Sequence, residues 1–461
     1  MIASCGVAVA DGIAFDAPVV TWTLTAFALA AVVTLGRELR HVPKNLLVLM
    51  ATAFLDMAGL FLVLPVLPFY VQRFMDSGDT LFGLELGFGA LSGIVASSFT
   101  LAQSLSAPFW GRMSDRRGRR PALLVALFAS ALAFAVFGFA ESIWVLVLAR
   151  IVQGAGGGTV GVIQAYVADA VPPDQRARAL GWLSAATNLG VALGPAIGSW
   201  AIALGDVDLW PAAGPQTMGV AAPGLVAAAM CLLNFGFAWR WLKEPAQRNS
   251  KPATSSPWTA AVQVLAHPRA PAARILLTYA IAIGAAQGLH FVVTKFLQVH
   301  FGVTELTIGR YFLYIGAWSV FARTFLLGRM IDRFGELRLS RLGLITLAVG
   351  LATIPLTSSI GALAVAAALL PLGTAMTFPC VTALLSKVVP ATERGMYMGL
   401  QHTFGGMSRL LAPLVYGVML DGFGYGAPMW LAAGLVAATI LFGIGLVVPA
   451  RGVSETRADA R

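Results

Sequence analysis

Charge is scarce in this sequence. Only 11% of its 461 residues are Asp, Glu, Lys or Arg, against 58% hydrophobic, and the mean hydropathy is +0.80. A soluble domain carries about 25% charged residues, so a water-soluble enzyme or binding module is excluded. Cysteine is equally sparse. Cys5, Cys231 and Cys380 stand far apart, two of them inside apolar runs, which argues against a disulfide framework or a thiolate metal site. No cluster with metal-ligand spacing, no phosphate-binding glycine loop and no catalytic triad stands out. No catalytic residue, metal or cofactor is therefore expected, and the chain reads as a polytopic membrane protein rather than an enzyme.

The net charge of +10 is not a nucleic-acid footprint, because its location explains it. Of the 31 Lys and Arg, 24 lie in the segments 37–44, 111–120, 176–178, 243–274, 329–341, 387–394 and after 450. Basic residues concentrate in cytoplasmic loops, which places these segments and the C-terminus inside. Asp76, Asp79, Glu141, Asp206, Asp208, Glu305 and Asp421 mark the outer loops. Between them run twelve apolar stretches of about twenty residues or more, enough to cross a bilayer: 45–70, 84–110, 121–140, 142–168, 179–203, 222–242, 272–298, 305–328, 340–358, 361–388, 394–420 and 426–449. A further apolar run at 18–36, acidic before and basic after, predicts an extra N-terminal helix. The expected organisation is an extension (1–43), a six-helix bundle (44–242), a cytoplasmic linker (243–271), a second six-helix bundle (272–449) and a cytoplasmic tail (450–461).

The densest charge is Gly111-Arg-Met-Ser-Asp115-Arg116-Arg-Gly118-Arg119-Arg120, which reads as a tight turn at the membrane surface. It returns 217 residues later as Gly328-Arg-Met-Ile-Asp332-Arg333-Phe-Gly335. A charged motif recurring half a chain on means an internal duplication, and Pro195 recurs as Pro413, 218 residues on. At these residues the sequence resembles the major facilitator superfamily, whose signature reads G-x-x-x-D-R-x-G-R-R. The first copy matches at every position; the second loses the final Arg pair. The resemblance implies an all-α membrane fold of two six-helix bundles related by a pseudo-two-fold axis, with substrate bound near the midplane. The charged turn is expected to act as a conformational latch, with Asp115 facing the positive end of the helix starting near Arg394 and Asp332 that of the helix starting near Arg176.

Charges inside the spans are the candidate functional groups. Asp56 lies eleven residues into the first span, roughly 16 Å deep at ~1.5 Å per residue. A buried carboxylate there is costly unless paired or protonated, so it is either a packing hydrogen-bond acceptor or a proton carrier. Arg150 lies roughly 12 Å from the outer surface by the same rise. It opens Arg150-Ile-Val-Gln153-Gly154, which resembles the superfamily's R-x-x-Q-G motif. Its counterpart in the second half is Ala368, so the symmetry breaks there. Gly181, Gly190, Gly194, Pro195 and Gly198 resemble the antiporter motif G(x8)G(x3)GP(x2)GG, with Ser199 in place of the last Gly. Stacked glycines also suit close helix packing of no special function.

Together with Tyr166-Val-Ala-Asp169 and Arg176-Ala-Arg178, these stretches resemble the tetracycline/proton antiporters and their multidrug relatives. The resemblance implies a monomeric inner-membrane exporter that exchanges a small apolar or cationic compound for protons. Gln153, Gln164, Asn188, Gln287, His290, Gln401 and His402 are candidate cavity groups, and for each a helix-to-helix hydrogen bond is the competing reading. An importer of a sugar or metabolite, and a non-transporting assembly factor or sensor, remain as alternative functions.

Overall fold

The computed structural model describes residues 44–442 except 82, 158, 172–174, 206–214, 245–261, 263, 265, 391 and 392. The expected helix at 18–36, most of the linker and the C-terminal tail lie outside the described residues. Within them the regular structure is helical, apart from one isolated bridge between Leu81 and Leu84.

In the first half the helices are α1 (Lys44–Val63), α2 (Leu67–Asp76), α3 (Phe88–Arg117), α4 (Arg119–Gly138), α5 (Ile143–Gly156), α6 (Thr159–Ala170), α7 (Arg176–Gly205) and α8 (Pro215–Trp241). The second half has α9 (Pro271–Gly288), α10 (His290–Phe301), α11 (Ile308–Phe321), α12 (Leu327–Thr353), α13 (Ile360–Val388), α14 (Arg394–Phe423) and α15 (Gly426–Phe442). Among the described residues, ten stretches are long and apolar enough to cross a membrane. One of them, Ile308–Leu356, holds two of the expected spans, and the shorter Gly426–Phe442 accounts for the last. Each of the twelve expected spans thus overlaps described helix, the last of them as far as Phe442. The chain is a multi-pass, all-α membrane protein.

Local chemistry sets the breaks. Pro65, which lacks an N–H, falls between α1 and α2 and interrupts the first span. Gly157 caps the end of α5 ahead of α6. The Ser142 hydroxyl accepts from Val145 N and Asp79 from Ile143 N, capping α5. The charged stretch is not the tight turn that its composition suggests. α3 continues unbroken to Arg117, and only Gly118, at φ 113°, turns the chain. Arg, Met, Ser and Asp need no loop, and a helix end protruding into water solvates their charges. The second copy repeats this, with Gly335 at φ 71° inside α12. Two further irregularities match between copies. Pro108 lies within α3, and a π-helical turn, Ala322–Leu326, joins α11 to α12. Arg112 Nε donates to the Pro108 carbonyl, and Arg329 Nη1 to the Phe325 carbonyl, 217 residues on.

The described residues divide into two compact units. One lies within Met1–Asn249, His290–Ala317 and Thr357–Ala364; the other lies within Ser250–Leu289, Trp318–Leu356 and Val365–Arg461. In the first, α1 packs against α7 and α8, α4 against α8, and α3 against α5. In the second, α9 packs on α14 and α12 on α15. Leu49, Leu123, Leu127, Ile163 and Val167 form part of one core, and Leu276, Leu384, Leu385 and Leu400 part of the other. Large apolar side chains such as Leu105, Phe128, Trp200, Val365 and Phe423 remain exposed. Water would not tolerate so many, whereas lipid covers them.

Candidate functional site

Asp56 sits on a helix clamped along one side. A Cβ at Gly190 would lie 2.4 Å from the Phe54 carbonyl oxygen, one at Gly194 2.6 Å from that of Ala58, and one at Gly198 2.3 Å from that of Leu62. No side chain fits at these distances, so the three glycines are what lets α7 touch the backbone of α1. Gly181 differs, having open space around it. The neighbouring side of α1 meets α8, where Asn234 Nδ2 donates to the Thr52 carbonyl. Asp56, one turn above Thr52, is half-buried and within electrostatic reach of Cys231 on α8.

Arg150 is enclosed elsewhere in the same unit. Only 1% exposed, its guanidinium donates from Nη1 to Gln153 Oε1 at 2.7 Å and lies 4.8 Å from the centre of the Phe99 ring. Its Nε has no hydrogen-bond partner among the described residues. Gly154 brings α5 close to α3, for a Cβ there would lie 2.2 Å from the Phe99 carbonyl oxygen. Equal depth therefore does not make Asp56 and Arg150 an ion pair. The arginine is turned toward Gln153 on its own helix and Phe99 on α3.

The charged turn is a hub. Glu244, just past α8, accepts from Arg119 N at 2.6 Å and from Arg120 N at 2.8 Å. Its carboxylate thus satisfies two of the free amides that begin α4 and sits at the positive end of that helix. It also occupies the place of a side chain at position 118, where a Cβ would be 2.7 Å from Oε1. Arg119 Nε pairs with Asp169 Oδ2 at 2.9 Å, and Nη1 with Asp115 Oδ1 at 2.6 Å and Ser114 Oγ at 2.8 Å. The Arg119 and Asp169 side chains are 9% and 4% exposed. Arg120 Nη2 donates to the Trp239 carbonyl, and the Tyr166 hydroxyl to that of Lys243. Arg116 is exposed, and the surroundings of Gly111 would admit a Cβ freely.

In the second copy, Glu336 stands where Arg119 does and Lys387 where Asp169 does. They too form an ion pair, with the signs exchanged and about a quarter of each side chain exposed. This exchange accounts for the loss of the first of the two terminal arginines from the second signature. Asp332 and Arg333 are exposed, the latter 5.7 Å from the Phe334 ring centre.

The remaining candidates separate by environment. Gln401 is buried and donates to Thr382 Oγ1, while His290 lies between the rings of Phe61 and Phe312. Asn188 is half-buried and donates to the Ser184 carbonyl of its own helix. Gln164, Gln287 and His402 are exposed. Sequence reasoning missed Glu244, the two ion pairs as pairs, and Lys295 on α10. An acidic residue at a helix end and a lysine inside a span were the available signals.

Comparison with known proteins agrees with this architecture. The sequence profile described as Major Facilitator Superfamily matches residues 49–326 and 315–461. The chain is 27% identical over 381 residues to the class B tetracycline resistance protein of Escherichia coli, covering 82% of this chain and 88% of that one. It is 24% identical to multidrug resistance protein 2 of Bacillus subtilis (strain 168), covering 81% and 88%. Among solved structures, the D-xylose-proton symporter superposes with a TM-score of 0.69 at 18% identity, over 88% of this chain and 97% of that one. With the profile spanning nearly all of both halves, the duplicated turn, the twelve spans and the helical fold have one account: this chain belongs to the major facilitator superfamily and is a membrane transporter.

Proposed function

We propose that the chain exports a small apolar or cationic compound in exchange for protons, by alternating access, in the inner (plasma) membrane with the charged turns inside. The observation that carries this reading is Asp56, a half-buried carboxylate in the middle of a span, on the helix that the antiporter-like glycines clamp. The names of its relatives, tetracycline and multidrug resistance proteins, support export of drug-like compounds. Exposed polar side chains within spans, Gln164 in one unit and Gln287 and His402 in the other, favour water-lined rather than lipid-facing surfaces.

A proton arriving from outside neutralises Asp56 and releases a bound cation or polar group. The neutral carrier then turns inward without moving a bare charge through the membrane, and proton release inside restores affinity for the next substrate. Arg150 contributes positive potential at similar depth, which favours the carboxylate when substrate is absent. In proteoliposomes, Asp56→Asn should abolish uphill flux driven by a pH gradient, while binding should persist and lose its pH dependence. Uphill flux at the wild-type rate in Asp56→Asn would place coupling elsewhere and overturn the reading.

A further inference from the structure

Position 199 departs from the antiporter motif, and the departure has a partner. The Ser199 hydroxyl, 6% exposed, donates to the Glu305 carbonyl at 2.9 Å and accepts from Gly309 N at 2.9 Å. Gly309 has no room for a side chain, since a Cβ there would be 2.6 Å from Ser199 Oγ and 2.7 Å from the Pro195 carbonyl oxygen. A glycine at 199 would leave an amide and a carbonyl unsatisfied in a buried place. Residues 305 and 309 belong to the second sequence half, yet they pack inside the first compact unit.

A second fastening lies at the same end of the unit. Lys295 Nζ donates to Gln72 Oε1 at 2.8 Å and to Gln298 Oε1 at 3.1 Å, and lies 4.7 Å from the centre of the Phe88 ring. Gln72 Nε2 passes the interaction on to Asp76 Oδ1 at 2.7 Å. The carboxamide thus links a partly buried ammonium to an exposed carboxylate without bringing the ions together. Arg73 and Glu305, 3.8 Å apart and substantially exposed, add little.

The geometry points to Ser199 and the Lys295–Gln72–Asp76 relay as two pins that hold the outer face closed and position α10 and the start of α11 against α2 and α7. This rests on the alternating-access reading, because only a carrier that opens outward has to break them. The pins differ in kind. The serine pin is neutral and dry, so breaking it strands two backbone groups. The lysine pin is charge-assisted and closer to water, so the ions regain hydration when it opens. Removing Gln72 leaves the ammonium short of an acceptor only in the closed form, whereas removing Lys295 as well takes that penalty away.

The test is a distance measurement between spin labels on Leu84→Cys and Leu306→Cys, in full-length protein lacking its native cysteines, in nanodiscs across a range of pH. Wild type shows a short and a long population. Gln72→Ala raises the ratio of long to short about tenfold, and Ser199→Ala or Ser199→Gly about threefold. Adding Lys295→Met to Gln72→Ala brings the ratio back toward wild type, which loss of packing alone would not do. Two wild-type populations whose ratio changes in neither Gln72→Ala nor Ser199→Ala, in folded protein, would overturn the pins alone. A single distance in wild type at every pH would overturn the alternating-access reading and the pins with it.

Discussion

The two copies of the charged turn share a backbone and differ in chemistry. Both end a helix, turn on one glycine with positive φ, and begin another helix. Both tie the residue after that glycine to a residue about fifty positions on. In the first copy the tie is Arg119 to Asp169, nearly dry and reinforced by Asp115, Ser114 and Glu244. In the second it is Glu336 to Lys387, partly wet. What the fold retains is an ion pair at that place; the sign at each end is free. Dryness, in turn, decides how much each pair matters.

The largest effect should come from the first pair. Arg119→Ala strands the buried Asp169 carboxylate, at a cost of about 3–5 kcal/mol. Its thermal unfolding in detergent should fall sharply, and exchanging the pair as Arg119→Glu with Asp169→Lys should recover part of the loss. No recovery would show that the site demands its sign after all. Next comes Gly118→Ala, which combines the positive-φ penalty with displacement of Glu244, about 2–4 kcal/mol together. Gly335→Ala has the same backbone strain but open space around it, so about 1–2 kcal/mol is expected. Equal losses at 118 and 335 would mean that the Glu244 cap contributes nothing. Glu336→Ala should cost about 1 kcal/mol or less, as a partly exposed pair does.

The smallest effect concerns the latch. Asp115 is half exposed and already paired with Arg119. Asp115→Asn should bias the carrier inward-open by about twofold to fivefold, the worth of an anion near a helix N-terminus. Distances between labelled inner helix ends would read this, and no shift would remove Asp115 from the latch.

These pairs mark where the sequence was readable. Span positions follow from apolar runs, and the repeat from charges that recur in register, so the helices and the doubled architecture were legible. Azimuth was not. A helix apolar on every side has no stripe to show which way Asp56 or Arg150 points, and residue counting gives only depth. Arg119 and Asp169 are fifty residues apart, and nothing local joins them. Ser199 looked like a flaw in a motif until Gly309 was placed against it. The glycines at 190, 194 and 198 were legible as a packing face, because their spacing alone puts them on one side of α7.

A mechanical consequence follows from Pro108 and the π turn. Both interrupt the hydrogen-bond ladder at the same level, about two turns before the charged end of their helices, by unrelated chemistry. Each copy therefore suspends its charged tip from a soft joint, with Arg112 or Arg329 strutting across it to the Pro108 or Phe325 carbonyl. From Pro108 to Arg117 the lever is roughly 13 Å long, so a bend of about 10° swings the tip by about 2 Å. That is enough to make or break an ion contact while the membrane-embedded shaft stays still. The charged ends can thus respond to their surroundings as hinged flaps, without the rest of either bundle having to yield.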